Sequence, residues 1–316
     1  MLGGMDGQAD HDGRRRRQLR AIVMMLACVA VFSAMDTVLK LLSAHYPSFQ
    51  VASLRGAASL PFLLAWAAAT TGLRPLLRAR WSLHLLRGAI GILMMAAFVY
   101  ALRTLPLSTA YSIFFVAPLL ITALSVPFLR EHVGPRRWIA IGVGFAGVLV
   151  VLRPGPGGVA SAAGLAVLLA AFGYAVSAIT VRVLARTDST QHMVVWLMLL
   201  MAVGAGLLAL PDWRPLRAEH VWLVLVLGVA GSVGQVLITE AFRLGEASLL
   251  APLEYTALVW GVFWDATLWG VLPDGVTWAG AAIIVASGLY LVRRERVRAV
   301  PAPASSVPPS VPPAPP

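Results

Sequence analysis

Apolar runs of about 20 residues, the length a helix needs to cross a bilayer, recur ten times between Ala21 and Val292. They begin near Ala21, Phe49, Leu85, Ser108, Arg137, Ala160, Gln191, Val221, Ser248 and Val276. Prolines stand in the gaps: Pro47, Pro75, Pro106, Pro135, the stretch from Pro154 to Gly158, Pro211 and Pro273. A proline has no N–H and a fixed φ, so it ends or interrupts a helix. The pattern predicts an all-α integral membrane protein: ten transmembrane helices joined by short loops, with no room for a soluble catalytic domain. Composition agrees. Of 316 residues 59% are apolar and 12% charged, against roughly 25% charged in a soluble domain, so lipid must cover what the charges cannot.

Lysine and arginine are retained on the cytoplasmic face of a membrane. Arg14–Arg17, Arg20, Arg74, Arg78, Arg80, Arg130, Arg136, Arg137, Arg182, Arg186, Arg243, Arg293, Arg294, Arg296 and Arg298 fall on one side, 18 of the 25 cations. Arg103, Arg153, Arg214 and Arg217 fall on the other, and Lys40, Arg55 and Arg87 lie within spans. The skew predicts cytoplasmic N- and C-termini. It also accounts for the net charge of +11 without nucleic acid as a partner. Arg14–Arg17 before an apolar stretch has the look of a secretory or twin-arginine signal. The stretch runs on to Leu42 and carries Asp36 and Lys40, so a first span is expected instead. Residues 1–20 then form a basic cytoplasmic segment, and residues 300–316, a Pro/Ala/Ser tail, are expected to be disordered in the cytoplasm. The one cysteine, Cys28, excludes an internal disulfide, a CxxC redox site and a cysteine-based metal centre.

The chain repeats itself. Shifted by 140 residues, Ala101-Leu-Arg103 falls on Ala241-Phe-Arg243, Ser108 on Ser248, Phe115 on Tyr255, Ala117 on Ala257, Trp138 on Trp278, Leu149 on Leu289 and Arg153 on Arg293. Shifted by 143, Thr37-Val38 falls on Thr180-Val181. Two five-helix units result, residues 21–153 and 160–293. Five is odd, so the second enters the membrane upside down. Inverted repeats of this kind enclose a midplane site that opens to either side as one half rocks against the other.

Charges in hydrocarbon cost at least about 2.5 kcal/mol each, which makes the few that remain candidates for a path or for structural pairs. Asp36 and Lys40 are four residues apart and share a helix face; Arg55 and Arg87 follow in the second and third spans, and Glu240, Glu254 and Asp265 in the eighth and ninth. Aromatic residues from both halves, Tyr111 and Phe115 on one side, Tyr255 and Trp260 on the other, are expected to wall a cavity for a planar or partly apolar solute, unless they are lipid-facing anchors. Pro118 and Pro252 predict breaks in the fourth and ninth spans. Gly142-Val-Gly-Phe-Ala-Gly147 matches GxGxxG but has no strand before it; close helix packing explains it better. No HExxH or GxSxG motif occurs, so no metal, cofactor or catalytic residue is expected and the chain reads as a non-enzyme.

The residues that carry the repeat also carry a likeness. Tyr100-Ala-Leu-Arg-Thr-Leu-Pro-Leu-Ser-Thr-Ala-Tyr111, Ala117-Pro118 and Gly144-Phe-Ala-Gly-Val-Leu-Val-Val-Leu-Arg-Pro154, with Leu250-Ala-Pro-Leu-Glu-Tyr255, Ala286-Ser-Gly-Leu-Tyr290 and Arg293-Arg-Glu-Arg296, resemble the EamA family of the drug/metabolite transporter superfamily across residues 20 to 293. The resemblance implies ten helices in two inverted repeats, a cavity lined by spans one to four and six to nine, and the fifth and tenth packed behind. Met35-Asp-Thr-Val-Leu-Lys40 and Glu254-Tyr255 are most similar to the bacterial branch that includes riboflavin and S-adenosylmethionine uptake transporters. One departure stands out: an acidic residue often found after the fourth span is present as Glu131, whereas the matching place after the ninth reads Gly270-Val271.

The expectation is a multi-pass secondary transporter of the bacterial inner membrane that moves a small organic metabolite by alternating access. Asp36, Lys40 and Glu254 form its central polar site, Tyr111, Phe115, Tyr255 and Trp260 its walls, and Arg55 and Arg87 charge partners or anion anchors; Asp36 or Glu254 carries a coupling proton. Its partners are the solute and membrane lipid, with a homodimer left open. An exporter of the same fold and a non-transporting membrane scaffold or receptor are the alternatives.

Overall fold

The computed structural model describes residues 3–77, 81–129, 134–153, 162–184, 187–244, 250 and 253–299, and these are helical almost throughout, with no strand among them. Helix α1 (Gly3–Ser43) starts well before the first apolar window. The basic segment expected to stand apart is continuous with the first span, because no proline interrupts residues 3–43 and Arg, Gln, Ala and Leu all favour helix. α2 (Ser48–Thr70) follows Pro47, and α3 (Trp81–Leu102) follows a 3-10 turn at Arg74–Leu77.

The fourth span is broken into α4 (Leu107–Phe114) and α5 (Ala117–Leu129). Pro118 offers no N–H to the carbonyl one turn back and crowds it, so the chain turns at Phe115–Val116. The ninth span turns at Tyr255–Thr256 before α11 (Ala257–Trp269), the same place in the second repeat; Pro252 itself lies outside the described residues, as do Glu131 and the tail from residue 300. Between them lie α6 (Pro135–Leu152), α7 (Ala162–Leu184), α8 (Thr190–Leu200), a π-helical turn at Met201–Ala205, α9 (Gly206–Ala209) and α10 (Val221–Leu244). α12 (Gly275–Ala299) closes the chain. Among the described residues eight helices are long and apolar enough to cross a membrane, and α11 and the apolar part of α12, Gly275–Leu291, follow them in the chain.

Packing reveals the relation between the halves. α1 lies along α10 and α3 along α7, the first span with the eighth and the third with the sixth, which the repeat exchanges. The second and seventh, fourth and ninth, and fifth and tenth spans pair with their own counterparts. The exchange holds at single residues. A Cβ on Gly144 would meet the Ser287 hydroxyl at 2.7 Å and one on Gly147 would meet Ile284 at 2.8 Å, and the 140-residue shift turns the first contact into the second. Higher numbers on α6 meet lower numbers on α12, so the two helices are antiparallel and the repeats inverted. Gly147 and Gly280 also face each other's carbonyls, at 3.1 and 2.9 Å from a built Cβ, so backbone contact occupies part of the glycine motif.

One end of the bundle is tied by short-range polar contacts. Arg103 donates from Nε to the Ser43 carbonyl at 3.0 Å and from Nη2 to that of Tyr46 at 2.8 Å, satisfying groups that the end of α1 leaves open. Gln50 and the Arg214 backbone exchange two hydrogen bonds, and Tyr46 Oη meets His220 Nδ1 at 2.8 Å. Arg153, left-handed at φ 47° where α6 ends, pairs with Asp274, whose carboxylate accepts from Thr277 N at the start of α12. Hydrogen bonds from Arg153 first, then from Thr277, hold the Asp274 carboxyl well below the usual carboxylate range. A depressed folded value means that this contribution is present at neutral pH and is lost as pH falls through the acid range below the unfolded value of about 3.9. Both side chains are substantially exposed, so Arg153→Ala should cost less than about 1 kcal/mol at pH 7 and move the Asp274 titration up toward its ordinary position, the Thr277 bonds keeping part of the depression. An NMR titration of Asp274 that is the same in both proteins would refute this assignment.

Candidate functional site

The buried charges do not gather in one cluster; they are stacked along α1. Nearest the tied end, Lys40 Nζ lies 3.2 Å from Asp265 Oδ1 and 4.2 Å from the centre of the Trp269 ring. Asp265, fully buried, also accepts from Leu107 N at 2.9 Å, Ser108 N at 2.8 Å and Ser108 Oγ at 2.6 Å. Those backbone donors are the open first turn of α4, whose own N-cap residue, Pro106, provides no side-chain cap. A carboxylate from the second repeat therefore caps a helix of the first, where the helix dipole favours an anion. A Cβ on Gly261 would meet the Tyr111 ring at 2.8 Å, which is why α11 approaches α4 closely enough for the cap to form.

About 6 Å further along α1, at 1.5 Å per residue, Asp36 Oδ2 accepts from Tyr111 Oη at 2.8 Å. Arg55 is within electrostatic reach of Asp36. Its Nη1 touches only the soft sulfur of Met95 at 3.4 Å, and its buried Nε has no hydrogen-bond partner. Another 12 Å or so along α1 is Cys28, which donates to the Gly234 carbonyl at 3.3 Å. Glu254 stands within electrostatic reach of Cys28, Tyr174 and Tyr255. No lysine or arginine among the described residues neutralises Glu254. Tyr255 Oη is likewise buried without a partner, pressed against Gly288, where any side chain would collide with it. Asp36, Arg55 and Glu254 are each of intermediate exposure.

One turn beyond Tyr111, the ring of Phe115 meets that of Tyr255, the residue after Glu254, edge to face, with centroids 5.0 Å apart. They are the same position in the two repeats, and each sits at the break of its span. A contact between repeat mates lies close to the pseudo-twofold axis, as the exchanged contacts of α6 and α12 do. Phe114 and Tyr174, 5.5 Å apart, extend the aromatic surface.

Four sequence expectations need adjustment. Asp36 and Lys40 share a face but do not pair; each has a partner on another helix, Tyr111 for the one and Asp265 for the other. Glu254 is not paired with Lys40; its electrostatic neighbours are Cys28, Tyr174 and Tyr255, and Lys40 pairs with Asp265. Arg87 donates from Nη1 to the Met193 carbonyl at 2.6 Å, tying α3 to α8 far from Asp36. Trp260, 36% exposed, packs edge-on to Phe263 on the outer face; the inward tryptophan is Trp264, which donates to Ser33 Oγ at 3.1 Å. Asp265 in its capping role, Tyr174 and Met95 were not singled out from sequence. Only Tyr174 left a local signal, a lone hydroxyl-bearing ring in the apolar α7. Among the described residues no group of three or more His, Cys, Asp or Glu converges to hold a metal ion.

Comparison with known proteins agrees with this architecture. The pattern of the EamA-like transporter family matches residues 19–153 and again residues 161–293. The riboflavin transporter of Vibrio cholerae is 32% identical over 289 residues, spanning 89% of this chain and 95% of that protein. The riboflavin transporter of Rhizobium johnstonii is 31% identical over 292 residues, 90% and 94% of the two chains. The S-adenosylmethionine uptake transporter of Rickettsia conorii is 29% identical over 282 residues, 88% and 94%. One solved crystal structure superposes with a TM-score of 0.62 at 21% identity, over 87% of this chain and 98% of the other, a likeness of fold alone.

Proposed function

The chain belongs to the EamA-like transporter family, and from that premise we propose that it takes up a flat heteroaromatic metabolite of the flavin class across the bacterial cytoplasmic membrane. The observation that carries the reading is the edge-to-face contact of Phe115 and Tyr255 at the breaks of their two spans, with Asp36 bound to Tyr111 one turn before the first ring and Glu254 next to the second in the chain. Rings at the hinge of two broken helices separate when the halves rock, and a planar solute would occupy the space between them. Arg55, whose donors are underused, would meet the carbonyl oxygens of such a ring system, and Glu254 and Asp36 would accept from its N–H and hydroxyl groups. A carboxylate held in apolar surroundings without a cation is costly, so Glu254 takes a coupling proton between solute-bound states. The same unpaired carboxylate favours a second reading, a sulfonium substrate like that of the Rickettsia relative.

In this reading both termini are cytoplasmic, as the arginine count supports, and the tied end faces outward. Opening to that side requires the Lys40–Asp265 contact to part. The protein works as a transporter without catalytic groups.

Uptake of radiolabelled riboflavin and of radiolabelled S-adenosylmethionine by cells lacking their own carriers decides the matter. Saturable riboflavin uptake, reduced at least about tenfold in Phe115→Ala and Tyr255→Ala, is expected. That factor corresponds to about 1.4 kcal/mol, within what an aromatic pair and its buried area supply. Accumulation of the sulfonium alone would select the second reading, and accumulation of neither would end both.

A further inference from the structure

Away from the charged layers, an apolar groove of about 430 Å³ runs along the outer face of α6 and α12. It exists because small residues, Ala140 and Ser287, form its floor between the larger Val143 and Ile283. Ser287 turns its hydroxyl inward onto the Ile284 carbonyl at 2.7 Å, so the floor presents almost no polar surface. Tyr290 lies toward one end, and Arg136, exposed in the first turn of α6, closes that end. The lining spans eight residues of each helix, Arg136 to Val143 and Ile283 to Tyr290, a rise of about 10 Å. That is the upper part of one leaflet of a hydrocarbon core about 30 Å thick.

We propose that this groove is a lipid-binding site that seats an acyl chain of an anionic phospholipid while Arg136 holds its headgroup. A concavity in a lipid-facing surface that stays empty forfeits dispersion contacts along its lining, and a flexible chain is what the surrounding medium provides to fill it. The charge of Arg136 at that end selects the headgroup. α6 brings Arg136 and Arg137 to this end, while the far end of the groove is lined by Val143 and Ile283. Basic pockets between membrane helices on the cytoplasmic side suit anionic headgroups for this reason. The site depends only on the membrane placement of α6 and α12, so it stands or falls separately from the solute carried.

The test uses full-length protein reconstituted in bilayers of equal parts phosphatidylglycerol and phosphatidylcholine, with the lipids that remain bound after extraction counted by native mass spectrometry. The wild type should keep phosphatidylglycerol over phosphatidylcholine by about fivefold, the equivalent of about 1 kcal/mol for one arginine near an anionic headgroup. Arg136→Gln should bring the ratio close to one, and Arg136→Lys should restore most of it. Ala286→Phe, which fills the groove without touching the charge, should lower retention of both lipids. Equal retention by the wild type, or a preference unchanged in Arg136→Gln, overturns the proposal. So does a dimer whose protein contact occupies the groove, seen as loss of the dimer rather than of lipid in Ala286→Phe.

Discussion

Asp265→Ala will destabilise the protein by about 3–5 kcal/mol, the cost of removing one member of a buried, hydrogen-bonded ion pair. The carboxylate does three things at once. It neutralises Lys40, it receives the two open N–H groups at the start of α4, and it accepts from the Ser108 hydroxyl. Alanine leaves an ammonium and two amide donors without this buried acceptor, and each such group costs on the order of 1–3 kcal/mol. Asp265→Asn keeps the shape and one acceptor but loses the charge, so its penalty should be smaller. Lys40→Met on the Asp265→Asn background should recover part of the loss, since the unpaired ammonium is then gone. Unfolding titrations of the purified variants in mixed micelles measure all three. A loss below about 1 kcal/mol in Asp265→Ala would show that the contact does not hold α1, α4 and α11 together.

Glu254→Gln should lower uptake by roughly 10- to 100-fold, the range spanned by the 1.5–3 kcal/mol of a hydrogen bond to a charged group. Glutamine matches the size of the side chain, so packing against Tyr174 and Tyr255 survives and folding should be close to wild type. What disappears is the ability to carry a proton or to meet a positive charge. If Glu254 carries the coupling proton, the variant should also lose the dependence of uptake on external pH while still binding solute, and exchange of labelled for unlabelled solute should outlast net uptake. Unchanged flux with an unchanged pH profile removes Glu254 from the mechanism and leaves Asp36 as the titrating group. The two variants report on different links. Asp265 acts on the stability of one end of the bundle, Glu254 on transport in a bundle that stays intact.

Regular features were legible along the chain because a duplication preserves intervals. The 140-residue shift that aligns Phe115 with Tyr255 also aligns the turn at Phe115–Val116 with that at Tyr255–Thr256, and the structure brings the two aromatic rings into contact. Proline chemistry acts on the residue one turn back, so the break in the fourth span could be located from Pro118 alone. Arg103, Arg153, Arg214 and Arg217, grouped only by the side on which they should emerge, all sit in the polar ties at one end of the bundle.

Partners were another matter. Helical spacing says which residues share a face and nothing about what that face meets, so Asp36 and Lys40 looked like a pair until Tyr111 and Asp265 came between them. For the same reason Trp260 and Trp264 part company: four residues advance about 40° round the helix, which leaves the first exposed and hands the second to Ser33. By itself, the order of apolar runs, prolines and charges determined ten crossings, two inverted halves and the short roster of ions the membrane would have to accommodate, since each follows from local chemistry or from counting. Only the tertiary structure decided how those ions are matched, that a carboxylate of one half caps a helix of the other, and that Glu254 stands apart near the aromatic centre. Those outcomes depend on distances between helices far apart in sequence, and such distances are set by the packing of whole helix faces.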